Sequence, residues 1–124
     1  MRPEPRDISY LWDMMQASRE ALDFTSNVTL DAYLQDRKLQ RAVERAIEII
    51  GEAAARMSAD FREAHPEIPW RKIIAQRNVL AHEYGDIENA LVWDLVADHL
   101  PRLVEQITPL LPPPPEEAEG DPEA

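Results

Sequence analysis

No cysteine occurs in the chain, which rules out a disulfide framework, a thiolate metal site and a thiol nucleophile. Glycine is scarce, at three residues in 124. Nowhere do about 18 apolar residues run together, the length a membrane-spanning helix requires. The opening Met1-Arg2-Pro3-Glu4-Pro5-Arg6-Asp7 lacks the apolar stretch of a signal peptide. Together these absences predict a soluble, cytoplasmic protein with no membrane contact. Positive charge is also short: 13 basic residues stand against 24 acidic ones, a net charge of -11. Five of the acids (Glu116, Glu117, Glu119, Asp121, Glu123) follow Leu111 with no base among them, which leaves -6 on the body. A broad acidic surface repels a polyanion, so loose electrostatic binding to nucleic acid, and with it a general RNA-binding module, is not expected. An enzyme whose few cations converge in a cleft is still allowed.

What is present is helical periodicity. The length and a 44% hydrophobic content suit one domain, residues 1–111, followed by a Pro-rich acidic tail, 112–124, expected to be extended and disordered. Residues 7–26 repeat Ile8, Leu11, Trp12, Met15 and Leu22 at threes and fours, with Asp7 as the expected N-cap and Ser26-Asn27 as the stop. Thr29 is placed to cap a second segment. A long helix follows from Asp36, with Leu39, Val43, Ile47, Ile50, Ala54 and Met57 on one face and Gly51 inside it. A mid-helix glycine costs about 1 kcal/mol relative to alanine, and close approach of a neighbouring backbone is the usual reason for one. Phe61 to Ile68 reads as a short helical piece ending near Pro66. Pro69 suits the first position of the next helix, and Gly85 suits its left-handed end. Asp86 or Asn89 opens a last helix striped with Leu91, Val92, Leu95, Val96, Leu100, Leu103, Val104 and Ile107, in which Pro101 predicts a kink. No strand pattern and no repeat appears. The expected fold is all-α, an up-and-down bundle of four to five helices.

Chemistry concentrates in Trp70-Arg71-Lys72-Ile73-Ile74-Ala75-Gln76-Arg77-Asn78-Val79-Leu80-Ala81-His82-Glu83-Tyr84-Gly85-Asp86. Projected on a helix, Arg77 and Tyr84 fall two turns apart on the centre of an apolar stripe, and Asn78 and His82 stack as an i, i+4 pair on its shoulder. A guanidinium in such a stripe must pair with a carboxylate or face a cleft meant for an anion, because burying it unpaired costs several kcal/mol. A histidine supplies a proton carrier near neutrality, and an arginine a planar cation for phosphate. Singly, each residue has an ordinary explanation: a structural ion pair, a helix-end histidine, a half-buried aromatic. The spacing R-x4-H alone recurs by chance in many proteins. The whole segment, with Asn78 directly after the arginine and Pro69-Trp70 leading in, favours function.

This R-x4-H-x-Y segment closely resembles the motif of the HepT-like ribonucleases, HEPN-domain toxins that accompany a small MNT-type nucleotidyltransferase antitoxin. The stretch Arg41-Ala42-Val43-Glu44-Arg45-Ala46-Ile47-Glu48-Ile49-Ile50-Gly51-Glu52-Ala53 also looks like that family's second helix, and the resemblance runs from Asp7 to Leu110. It implies a homodimer with two copies of the motif in one composite cleft. There His82 is the acid/base for attack of a ribose 2′-hydroxyl on the adjacent phosphate, Arg77 holds that phosphate, and Asn78 orients the phosphate or the imidazole. No metal or cofactor is implied. Arg71 and Lys72, doubled by two-fold symmetry, would form a basic seam for RNA. Tyr84 is, by the same resemblance, the residue to which the partner nucleotidyltransferase transfers AMP, blocking the cleft with bulk and negative charge. The competing readings are a catalytically silent helical dimer that docks and is modified by that enzyme, and a nucleotide-binding accessory subunit that breaks no bond.

Other residues carry weaker signals. Glu44, Glu48 and Glu52 form an i, i+4, i+8 column, but Arg41 and Arg45 lie within reach and no histidine shares it, so an ion-paired solvated face is expected, with one member free to pair with Arg77 instead. His65, before Pro66, and His99, in the last helix, stand at no ligand spacing. Trp12, Trp70 and Trp93 read as core or dimer-face aromatics, and Glu83 as exposed. The acidic tail reads as a solubility segment, with RNA mimicry the lesser alternative.

Overall fold

The first helix, α1 (Pro5–Phe24), starts two residues ahead of the expected Asp7, with Pro5 in its first turn, where a missing N–H is harmless. The computed structural model describes residues 4–81 and 86–112, and of these the side chains of 77–81 and 86–88 are set aside. Asp7 is therefore not the cap of its own helix. It is buried, and its carboxylate accepts hydrogen bonds from the Ser58 N–H at 2.9 Å and the Ser58 hydroxyl at 2.7 Å, across 51 residues of sequence. Near the other end Thr25 returns its N–H and hydroxyl to the carbonyl of Ala21, and Asn27 takes a left-handed φ of 62°, the stop expected at Ser26-Asn27.

Thr29 is the cap the sequence suggests, and Asp36, where the long helix was expected to begin, is a cap as well. Thr29 accepts from the Ala32 N–H and opens α2 (Leu30–Gln35); Asp36 accepts from the Leu39 N–H and opens α3 (Arg37–Arg56). Ser58, held by Asp7, accepts in turn from the Phe61 N–H and opens α4 (Ala59–Ala64). The expected piece from Phe61 to Ile68 is thus displaced toward the N-terminus. Pro66 and Pro69 each disfavour helical geometry in the residue before them, so His65 and Ile68 leave the helix and the chain turns. Helix α5 (Trp70–Ala81) follows. Pro69 sits just before it, its carbonyl accepting from the Ile73 N–H, so it occupies the cap position instead of the first helical one.

Helix α6 (Asp86–Asp94) runs into a π turn at Leu95–His99 and then α7 (Leu100–Ile107), closed by a 3₁₀ turn at Thr108–Leu110. The kink expected at Pro101 takes this form. The Leu100 N–H bonds to the carbonyl of Leu95, five residues back, and the widened turn gives the proline ring room that an α turn would deny it. Residues 113–124, the bulk of the proposed tail, lie outside the described residues.

Helix α3 packs against both α1 and α5, α1 also packs against α7, and α2 lies on α6. Leu11, Met14 and Met15 of α1 meet Val43, Ile47, Ile50 and Ala54 of α3 in the core, joined by Ile73, Val96, Leu100, Leu103 and Ile107. Fully burying each large side chain of this kind contributes roughly 1.5–3 kcal/mol. Gly51 is buried on the densest helix, where its lack of a side chain allows close packing. No strand appears among the described residues, and the fold is the all-α bundle expected from the sequence. No described helix is long and apolar enough to cross a membrane.

Candidate functional site

The motif segment begins at a well-anchored point. Trp70 is buried, its indole N–H donates to the carbonyl of His65 at 3.0 Å, and its ring meets Phe61 edge-on at 6.1 Å. His65 stacks on Phe61 at 4.4 Å and pairs with Glu67 at 3.4 Å, so its role is to shape the turn that leads into α5. Ile73 is buried and Ile74 half-buried against the core, which reproduces the apolar stripe drawn from the sequence. Arg71 and Lys72 project from the first turn and are exposed.

The backbone of Arg77 and Asn78 belongs to α5, but their side chains are outside the described set, and His82, Glu83, Tyr84 and Gly85 lie outside the described residues altogether. What the structure supplies is the scaffold on either side of them. Ahead of them α5 is packed along α3. After them, the Asn89 amide donates to Gln40 Oε1 at 3.2 Å, and Gln40 Nε2 donates to the carbonyl of Tyr33 at 2.9 Å. This chain of bonds ties α6 to α2 and α3 within a few residues of the motif. Fixed elements therefore bracket the stretch, as a site needing sub-ångström placement requires.

Tyr33 fills the space beneath α6, fully buried, with its ring 5.2 Å from that of Trp93. Burial, and then the charge of Glu44, raise its phenol well above the usual tyrosine range. Its hydroxyl has no hydrogen-bond partner among the described residues. Glu44 keeps only 14% of its side chain exposed and lies 3.5 Å from Arg41. Farther along the same helix Arg45 pairs with Glu48 at 3.2 Å and Glu52 at 3.8 Å. The glutamate column is thus the ion-paired face expected of it. Trp70 is a core residue, and Trp12 and Trp93 are half-buried within the chain. Among the described residues no three His, Asp or Glu side chains converge as metal ligands.

One residue passed over in the sequence takes a prominent place. His99, the last residue of the π turn, is exposed and lines the same hollow as Lys72 and Gln76. Pro101 two residues later was the available signal, since a proline inside a helix marks a local distortion.

A family model described as "Ribonuclease HepT-like" matches residues 14–110. A Methanocaldococcus jannaschii protein named "Putative RNase" is 33% identical over 103 residues, covering 83% of this chain and 85% of its own length. A Thermococcus cleftensis protein named "Probable ribonuclease HepT" is 39% identical over 94 residues, 76% of this chain and 86% of its own. A further "Putative RNase", from Caldanaerobacter subterraneus subsp. tengcongensis, is 30% identical over 102 residues, with 82% and 91% covered. No solved structure matches the chain.

Proposed function

Because the chain belongs to the HepT-like ribonuclease family, we propose that it is an endoribonuclease and the toxin of a toxin–antitoxin pair, acting as a homodimer through Arg77, Asn78 and His82. The observation that carries this reading is the R-x4-H-x-Y segment of the sequence, whose Arg77 belongs to α5, a helix anchored at its start by Trp70. His82 takes the proton of a ribose 2′-hydroxyl as its oxygen bonds to the neighbouring phosphorus. The bond from phosphorus to the 5′-oxygen breaks, that oxygen leaves with a proton returned by an imidazolium, and a 2′,3′-cyclic phosphate remains. Arg77 binds the phosphate and offsets the charge that builds up on it, and Asn78 orients phosphate or imidazole. One of the glutamates Glu44, Glu48 and Glu52 of α3, a helix that packs against α5, would pair with Arg77. This chemistry calls on no metal.

The partner is an MNT-type nucleotidyltransferase that adds AMP to Tyr84. Each added phosphodiester brings an anion that competes with RNA for Arg77 and repels the RNA backbone. Arg71 and Lys72, exposed at the start of α5, bind the RNA strand as it approaches.

The test is cleavage of labelled cellular RNA in EDTA by the unmodified protein beside His82→Ala and Arg77→Ala. Cutting that survives EDTA and disappears in both variants is the expected result. No cutting by protein whose intact mass shows no AMP on Tyr84 would favour a silent dimer that only docks and is modified.

A further inference from the structure

A groove runs between α5 on one wall and the π turn with α7 on the other, floored by Ile47 and Ile50 of α3. It consists of two adjoining hollows of about 220 and 310 Å³ that share Lys72, Gln76, Leu95 and His99. Its depth is apolar, with Ile47, Ile50, Ile73 and Leu103 all buried. Lys72 and Arg102 stand exposed on its rim with no ion pair among the described residues, and His99 is exposed beside them. Arg41 and Arg45 of α3, by contrast, are matched to glutamates. Gln76 is half-buried in the wall, and its amide has no hydrogen-bond partner among the described residues. Two acids also line the groove. Glu67 is held by His65, and Asp94 stands toward the α6 end.

An apolar floor with a free amide beside it and cations above it matches one ligand chemistry well. The face of an unpaired base covers the floor, its polar edge meets Gln76, and the phosphates on either side of it meet Lys72 and Arg102. Proteins read single-stranded RNA in this way, by taking splayed bases one at a time. The π turn adds an independent pointer, because such turns recur at functional sites, and this one places His99 on the rim. Lys72 precedes Arg77 by five residues, about 7.5 Å along the helix axis. Lys72 and Gln76 thus share α5 with Arg77 and precede it within two turns.

We propose that this groove is a nucleotide subsite of the RNA, taking an unpaired base of the strand and setting base preference through Gln76. The inference rests on the ribonuclease reading and specifies how its substrate is selected. Arg102 contributes strand affinity as a point charge, and Gln76 contributes discrimination.

The experiment maps cleavage ends in a randomised single-stranded RNA pool for the wild type, Gln76→Leu, Arg102→Ala and Arg102→Lys. Beside it, anisotropy follows a fluorescein-labelled 12-nucleotide RNA of the preferred sequence on a His82→Ala background, and sedimentation follows self-association. Gln76→Leu should flatten the preference at one position of the strand by about 5- to 10-fold, the worth of a neutral hydrogen bond. Arg102→Ala should weaken binding of all RNAs alike, and Arg102→Lys should restore it. A wild type that cuts RNA while both groove variants keep its preference and affinity overturns the subsite and leaves the ribonuclease reading standing. Variants that cut with unchanged preference but lose self-association also overturn it, and make the groove a contact between copies of the chain. A wild type that neither binds nor cuts RNA overturns the ribonuclease reading, and the subsite with it.

Discussion

Replacing Tyr33 with phenylalanine should stabilise the protein, although it removes a buried polar group from the neighbourhood of the motif. The ring is fully buried against Trp93, and the hydroxyl finds no hydrogen-bond partner among the described residues. Burying a hydroxyl without a partner costs about 1–3 kcal/mol in proteins. Phenylalanine keeps the ring contact and removes that cost, so Tyr33→Phe should gain about 1–2 kcal/mol at neutral pH, or roughly 4–8 °C in Tm per kcal/mol for a small domain. The pH dependence tests the same reasoning separately. Burial and Glu44 raise the folded-state pKa of Tyr33 above its unfolded value near 10. Above about pH 10 the unfolded phenol loses its proton while the folded one keeps it, so the folded state binds more protons and stability falls as pH rises. Tyr33 then withdraws ~1.4 kcal/mol per pH unit from the wild type and nothing from Tyr33→Phe. Thermal melts of both proteins at pH 7 and at pH 11 should show the advantage of the variant widening at the higher pH. A variant less stable than wild type at pH 7, or a gap that does not widen, would refute the account and give the hydroxyl a partner.

The bonds from Asp7 to Ser58 predict that Asp7→Ala and Ser58→Ala each cost about 2–3 kcal/mol in urea unfolding, the value of hydrogen bonds to a charged group. The double variant should cost clearly less than the two singles summed, because both remove one interaction. Arg45→Ala should change the unfolding midpoint by well under 1 kcal/mol, since its pairs with Glu48 and Glu52 are exposed. Gly51→Leu should lose about 1–3 kcal/mol or more by overpacking a buried position, read as a lower Tm. RNA affinity should fall with added salt on a slope near -2 in log–log form if about three cations in all meet the strand, and a flat response would count against them.

The bundle was legible because its cause is periodic. Leu39, Val43, Ile47, Ile50 and Ala54 announce a buried helix face by spacing alone, and Thr29 and Asp36 cap the helices they precede because a cap acts over three residues. Asp7 misled for the opposite reason. An acid just before an apolar repeat looks like a local cap, and nothing in the spacing discloses that its partner lies 51 residues away. The ends of α4 were blurred by Pro66 and Pro69, each of which acts on its predecessor. The motif was visible as a string of residue types, and α5 shows that its first two members stand on an anchored helix. The groove could not be read at all. Its walls come from segments far apart in sequence, and the residue types that line it differ from an ordinary helix surface only when brought face to face.

Net charge gave the strongest sequence argument against RNA, and the structure shows why a sum over the chain is the wrong measure. Fields of exposed charges fade over about 8 Å at physiological ionic strength, so a strand responds to the charges beside it. On α3 acids hold Arg41 and Arg45, so those cations are already compensated. On the rim between α5 and α7, Lys72 and Arg102 line one hollow without ion pairs among the described residues, and Arg71 stands next to Lys72 at the surface. Three cations thus stand near one another at the start of α5 and on α7, on a chain whose overall charge is acidic. On the proposed reading, an acidic body would repel a polyanion at most approaches and favour those that meet these cations, which would make net charge a source of selectivity.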